Sequence, residues 1–288
     1  KREKKVAIVG LGLLGTSLGL ALKGKCHRIA WARRKESLDY ALKKNACDQA
    51  CEKLSDAIKC ADISVICLPV KTIISFTKEN ASFFAEGSIV TDIASVKREI
   101  VRKLNPELKK HGVDFVGSHP MAGSEHSGAE AAYPEIYRNA VVFLTPSKGT
   151  SKLAVSSVAD LWKAAGAKIE ILSPELHDKT VALTSHLVHL SAAALASSVL
   201  QCSNAEFSRR AKACAGGFRD STRVASSSPD MWEEIIDFNS DNIVPALKKL
   251  EDILCEFRKS LKNRDLEKVS DMLRKSSELR KKWNATQH

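Results

Sequence analysis

The chain reads as an α/β protein in two parts: a doubly wound, mostly parallel sheet over residues 1–173, then an all-α region over 174–288. Three observations predict this. Short β-branched runs alternate with helix-patterned stretches through the first half. A glycine-rich turn directly follows the first strand. Beyond Ser173 the strand signal all but disappears, while long helical patterns continue to the end.

In chain order, Val6–Val9, Arg28–Ala32, Ile63–Leu68, Ser88–Asp92 and Val113–Val116 read as strands. Helical stretches such as Thr16–Leu22, Ser37–Lys44 and Lys97–Leu104 lie between them. Two more strands, Ala140–Leu144 and Lys168–Ile171, flank a helix at Ser151–Ala165. The helical half comprises Pro174–Leu200, Asn204–Cys214, Trp232–Leu261 and Asp265–Trp283. Its last pieces are amphipathic, the kind of helix that packs against a partner subunit or closes its own core. A homodimer is the expected assembly.

Hydrophobic residues make up 44% of the 288, as in ordinary globular proteins. The net charge of +11 raises nucleic-acid binding as a class. However, the basic residues collect at Lys1–Lys5, Arg33–Lys35 and the last helices, where acidic residues interleave them as on a solvated face. No aromatic–basic interleaving suggests a single-strand platform, so nucleic acid is not an expected partner. No uncharged apolar run of about 18 residues is expected to cross a membrane. The opening Lys1-Arg2-Glu3-Lys4-Lys5 leads straight into a strand, unlike a signal peptide. Eight scattered cysteines include no Cys-x-x-Cys pair, which argues against zinc and suggests reduced, mostly buried thiols in the cytoplasm.

Gly10-Leu11-Gly12-Leu13-Leu14-Gly15 sits between the first strand and an apolar helix. There Gly10 permits the tight turn, Gly12 the approach of a pyrophosphate, and Gly15 close helix–strand packing. Leu13 and Leu14 open the helix, whose free N–H groups face the phosphates. This is a Rossmann-type dinucleotide site. A site for NAD usually ends the second strand with an acidic residue on the ribose 2′-hydroxyl. Here the strand ends Trp31-Ala32 and is followed by Arg33-Arg34-Lys35. A small residue with Arg33 and Arg34 beside it suits a 2′-phosphate, so NADP is the expected cofactor, with NAD as the alternative.

The segment from Gly117 to Gly128 places His119, several hydroxyls and three glycines in a turn-rich loop after the fifth of these strands. Histidine titrates nearest neutrality, which suits proton transfer, and Pro120 keeps His119 out of helix.

Together with Thr91-Asp92-Ile93-Ala94-Ser95-Val96-Lys97 and Gly216-Gly217-Phe218-Arg219-Asp220-Ser221-Thr222-Arg223, these motifs resemble the prephenate/arogenate dehydrogenase family of tyrosine biosynthesis. The resemblance runs from Val6 to about Leu261. It implies oxidative decarboxylation of a cyclohexadienyl substrate, with His119 taking the ring-hydroxyl proton and Arg223 holding a substrate carboxylate. It also implies that Ser95 orients His119 near the nicotinamide, the lesser alternative being a helix N-cap. Ser124 and Glu125 would line the site or simply stabilise the turn. His126 stands where the family more often has lysine.

His186 and His189 share one helix face. They read as core histidines or a metal pair, but no third ligand has suitable spacing, so no metal is expected. The resemblance places His189 in the substrate pocket. It tilts the expectation toward prephenate, with arogenate as the alternative. It also leaves room for tyrosine as an active-site inhibitor, since the product keeps the substrate's carboxylate-bearing side chain. The remaining alternatives are a β-hydroxyacid dehydrogenase or imine or keto-acid reductase, and a non-catalytic dinucleotide sensor.

Overall fold

The computed structural model describes residues 2–123 and 128–286. It forms two compact units, Lys1–Ser240 and Asp241–His288. The first contains one eight-stranded sheet in the order β3-β2-β1-β4-β5-β6-β7-β8. The strands are β1 Lys5–Val9, β2 His27–Trp31, β3 Gln49–Cys51, β4 Ile63–Ile66, β5 Ile89–Asp92, β6 Asp114–Pro120, β7 Val141–Pro146 and β8 Lys168–Ile171. All neighbours are parallel except β6 and β7. Six strands follow the dinucleotide-binding order, whose topological switch lies between β1 and β4.

Helices α1 Leu13–Ala21, α2 Lys35–Lys43, α3 Leu54–Ile58, α4 Val70–Glu79, α5 Arg98–Lys109 and α6 Lys152–Ala164 cover the sheet. Two apolar clusters fill its faces, one around Ile8, Leu18, Val116 and Trp162, the other around Val9, Ile66, Ile100 and Phe115. Central strands buried on both faces explain why β4 and β5 read as unbroken runs in the sequence.

The sequence expectation ends its fifth strand, the β6 of the structure, at Val116 and leaves His119 in a loop. In the structure β6 runs on to Pro120, because antiparallel β7 pairs with this extension and sets His119 opposite Phe143. The three-residue β3 has no counterpart in the sequence reading.

Helices α7 Pro174–Val181, α8 Leu187–Leu200, α9 Asn204–Ala213 and α10 Gly216–Thr222 follow. One turn of π-helix, Ala182–His186, joins α7 to α8. Contrary to the sequence expectation, Pro174–Leu200 is long and apolar enough, by length and composition, to cross a membrane, with mean hydropathy 1.4. Yet its inward groups include His177, Asp178, His186 and His189, all buried, and polar groups so placed mark a helix that packs on protein.

Helix α11, Pro229–Lys262, is kinked at Asn239, whose backbone leaves helical values (φ −130°, ψ 16°). In the second unit the rest of α11 and α12 Leu266–Ala285 are joined by the Lys268–Glu256 ion pair at 2.8 Å. Leu266, Leu273, Leu279 and Trp283 of α12 are exposed. Of the cysteines, Cys26, Cys47 and Cys51 are buried and Cys60 is exposed, while the other four are half-buried, fewer in the core than expected.

Candidate active site

At the carboxyl edge of the sheet, beside the switch point, a cavity of about 400 Å³ is lined by Gly10, Gly12, Ala32, Arg33, Arg34 and Ser37, among others. Gly10 has φ +101°, and a Cβ there would lie 2.4 Å from the Cys67 carbonyl oxygen. At Gly15 a Cβ would come within 2.0 Å of the Gly10 carbonyl, so the turn and the helix must both be glycine at these points. Gly12 meets nothing within 4 Å, which leaves its backbone open to a phosphate. The first helical N–H groups, those of Leu13, Leu14 and Gly15, precede the first intrahelical bond, Thr16 N–H to Gly12 carbonyl at 3.0 Å. These three residues do not line the cavity. Leu13 and Leu14 pack on the core, and Tyr137 Oη donates to the Leu14 carbonyl at 2.7 Å. A dinucleotide fits this cradle: open glycine backbone at the turn that leads into the helix N-terminus, and two exposed arginines where the second strand ends.

His119 lies at the same edge, at the end of β6. Strand alternation turns Ser118 to one face and His119 to the other. Ser118 is fixed by Thr91 Oγ1 at 2.6 Å and by Trp162 Nε1–H at 3.1 Å. Its N–H donates to Asp92 Oδ1 at 3.1 Å, and its carbonyl accepts from Lys97 Nζ at 2.8 Å. Lys97 is fully buried and also bonds the Asp92 carboxylate. Burial pulls the Lys97 pKa down, and Asp92 opposes that pull.

On the other face, His119 Nδ1 is 2.8 Å from His177 Nε2, and His177 Nδ1 is 2.8 Å from Asp178 Oδ1. The Asp178 carboxylate caps α5 from across the fold. Its two oxygens accept the Lys97 N–H at 2.7 Å and the Arg98 N–H at 2.9 Å. Phe143 sets its ring edge-on to His177 at 5.5 Å. Burial holds the His119 pKa well below the ordinary histidine value, and the charges of His177, Lys97 and His186 add to the effect. His177 is also depressed by burial, with Asp178 pulling the other way. His119 is therefore a neutral imidazole near pH 7, able to accept a proton.

The network continues into the helices. Asn239 Nδ2, freed from regular helix by the kink, donates to the Asp178 carbonyl at 2.8 Å and lies 3.1 Å from His186 Nδ1. His186 meets Trp232 edge-on at 5.9 Å, and His189 stacks on the same indole at 3.6 Å and 8°. The His189 ring bonds the backbone of Val224, the residue after Arg223. Arg223 itself is exposed, at the start of a 3-10 turn after α10. Among the described residues, His186 Nε2, His189 Nδ1 and Trp232 Nε1 are buried without hydrogen-bond partners. Three such atoms around one indole would be costly in a filled core, at about 1–3 kcal/mol each, and they are suited to a polar ligand.

Ser95 sits half-buried after β5 at the same carboxyl edge. It does not cap α5, whose cap residue is Lys97, and His119 Nδ1 is engaged by His177. Ser124, Glu125 and His126 fall outside the described residues. His177, Asp178, Asn239 and Trp232 escaped the sequence reading. The only signal for the first two was a His-Asp pair in the short helix α7, among Glu175 and Lys179. Among the described residues no group of three or more His, Cys, Asp or Glu side chains is arranged to hold a metal.

A dinucleotide cradle sharing one sheet edge with a buried neutral histidine defines a dinucleotide-dependent oxidoreductase. Residues 18–171 match the family model described as "Prephenate dehydrogenase, nucleotide-binding domain", and residues 173–275 match "Prephenate dehydrogenase, dimerization domain". The chain belongs to the prephenate dehydrogenase family. It is 32% identical to the cyclohexadienyl dehydrogenase of Zymomonas mobilis, over 96% of this chain and 95% of that one. Among solved structures it is similar to prephenate dehydrogenase from Aquifex aeolicus in complex with hydroxyphenyl propionate and NAD+ (TM-score 0.88, 31% identity, 97% and 98% coverage). It is also similar to Synechocystis arogenate dehydrogenase (TM-score 0.85, 26% identity, 97% and 99% coverage).

Proposed function

We propose that the chain oxidatively decarboxylates prephenate to 4-hydroxyphenylpyruvate with NADP, His119 acting as the proton acceptor. The observation that carries this reading is a buried neutral imidazole on the sheet edge that also holds the dinucleotide cradle. When bound, the nicotinamide supplies the hydride acceptor. His119 Nε2 takes the ring-hydroxyl proton as hydride leaves the same carbon. Loss of CO₂ returns an electron pair to the ring, and the aromatic product recovers a proton at its phenolic oxygen. Ser95 presents a hydroxyl at the nicotinamide end.

Arg223 pairs with a substrate carboxylate through its planar fork. His189, with His186 and Trp232, receives the polar side chain, in keeping with their unpartnered buried atoms. Ser124 and Glu125 complete the pocket wall. Glu233 and Glu234, next to Trp232 in sequence, are engaged by Lys71 through its Nζ and N–H. Prephenate, with its keto side chain, is the preferred substrate, and arogenate is the alternative. Arg33 and Arg34 hold a 2′-phosphate. Functionally, 1–173 is the dinucleotide domain and 174–288 the substrate and dimerisation domain. The exposed apolar residues of α8 and α12 favour a homodimer. The enzyme works in the cytoplasm, where its thiols stay reduced, and tyrosine competes with substrate at Arg223.

The test is reduced-nicotinamide formation with prephenate, arogenate and simple hydroxy acids, each with NADP and NAD. Turnover of prephenate with NADP is expected; turnover of hydroxy acids alone would refute the reading.

A further inference from the structure

We propose that His177 and Asp178 are positioning residues that lock His119 into the Nδ1–H tautomer, so that Nε2 is the atom that takes the substrate's proton. This rests on the reading of His119 as the base.

The hydrogen bonds are fixed at their Asp178 end. Both Asp178 oxygens accept backbone N–H groups, from Lys97 and Arg98, so the carboxylate is committed as an acceptor. His177 Nδ1, 2.8 Å from Oδ1, must therefore donate. Burial keeps His177 neutral, so its other nitrogen, Nε2, carries a lone pair. Across 2.8 Å, that lone pair can accept only from a protonated His119 Nδ1, which leaves Nε2 of His119 bare. All three side chains are buried, with 7%, 0% and 1% exposure for His119, His177 and Asp178, so water cannot substitute for a missing partner.

The same chain handles the charge. When the substrate O–H bond breaks, its electron pair stays on oxygen and the proton bonds Nε2. The resulting imidazolium already donates through Nδ1 to His177, whose own N–H points at a carboxylate. That is the role an aspartate plays behind a catalytic histidine, here with one imidazole interposed. His177, Lys97 (itself paired with Asp92) and His186 disfavour the cation on His119, and Asp178 bears on it through its bond to His177.

The test reads the tautomer directly, by nitrogen NMR of full-length protein carrying ¹⁵N-histidine, with His119 assigned by its loss in His119→Asn. Wild type is expected to show His119 protonated at Nδ1 and bare at Nε2. In Asp178→Asn the amide oxygen keeps the Oδ1 place, where it accepts from the Lys97 N–H and His177 Nδ1–H, while the NH2 meets the Arg98 N–H. His119 then keeps its tautomer but loses the negative charge behind His177, so kcat should fall by about tenfold or more with KM for substrate little changed. His177→Phe should lower kcat by about 10–100-fold and move the acid limb of the pH profile. His177→Gln, whose oxygen can accept from Nδ1–H, should recover part of that loss. A wild-type His119 protonated at Nε2 overturns the proposal, as does a His177→Phe enzyme with unchanged kcat and pH profile. The base assignment has its own separate check: an active His119→Asn would remove it. An inactive His119→Asn beside an unaffected His177→Phe would remove only the positioning role.

Discussion

His189 lies flat on Trp232, with ring centroids 3.6 Å apart and planes 8° from parallel, and neither His189 Nδ1 nor Trp232 Nε1 has a hydrogen-bond partner among the described residues. The stack fixes the imidazole face while leaving its edge for a ligand. Trp232→Leu should therefore raise KM for prephenate by about tenfold, the value of one lost aromatic contact and its ordering. Trp232→Phe, which retains a stacking face, should lose less. Steady-state kinetics with both variants checks this, and equal losses would argue that the stack is irrelevant.

Arg223→Ala should raise KM by about 10–100-fold, corresponding to the roughly 1.5–3 kcal/mol of a charge-assisted bond to a carboxylate. Arg223→Lys should recover only part, because an ammonium lacks the planar two-bond fork. Tyrosine inhibition should weaken in parallel in both variants. Inhibition constants measured against varied prephenate would show this, and a purely non-competitive pattern would contradict a shared site.

Arg33 and Arg34 line the cavity at the end of β2 with Ala32 between them and the strand. Arg33→Ala should lower kcat/KM for NADP by about tenfold or more and leave that for NAD nearly unchanged, since only the former carries the 2′-phosphate. A wild-type preference for NAD would contradict the assignment.

Four buried histidines, His119, His177, His186 and His189, all have folded-state pKa values depressed chiefly by burial, His186 to about 4. The unfolded chain binds protons at these groups from about pH 6.5 downward, whereas the folded chain does not, so stability must fall as pH falls through that window. For His186 alone, the loss is about 3 kcal/mol by pH 4. Urea unfolding between pH 8 and pH 4 reads it directly. Constant stability across that range would mean that these rings are not buried neutral.

The sheet and the cradle were legible because their signals are local. Val6–Val9 and the three glycines at Gly10, Gly12 and Gly15 fall within one unbroken stretch, 6–15, and Ala32-Arg33-Arg34 follows its strand directly. His119 stood out for the same reason, although the strand beneath it runs to Pro120 through pairing with β7, a partner more than twenty residues away. The support for His119 was not legible. His177 is 58 residues distant and meets it only when α7 packs on the end of the sheet. Asn239 enters the network through a kink that helical periodicity does not announce. The resemblance gave Ser95 the orienting role, and the partner 2.8 Å from His119 Nδ1, His177, lies in a segment that no motif marked.

In the proposed reaction His119 is the proton acceptor of an aromatising hydride transfer. The most direct measurement is the pH dependence of kcat/KM for prephenate in the wild type, set beside His119→Asn. Because the base must be unprotonated and its pKa is held below the usual histidine range, wild-type activity should stay level below neutrality and fall only at more acid pH. His119→Asn should lose about 10²–10⁴-fold in kcat, lose that acid limb, and still bind the dinucleotide. A variant with near wild-type turnover and the same acid limb would contradict the account.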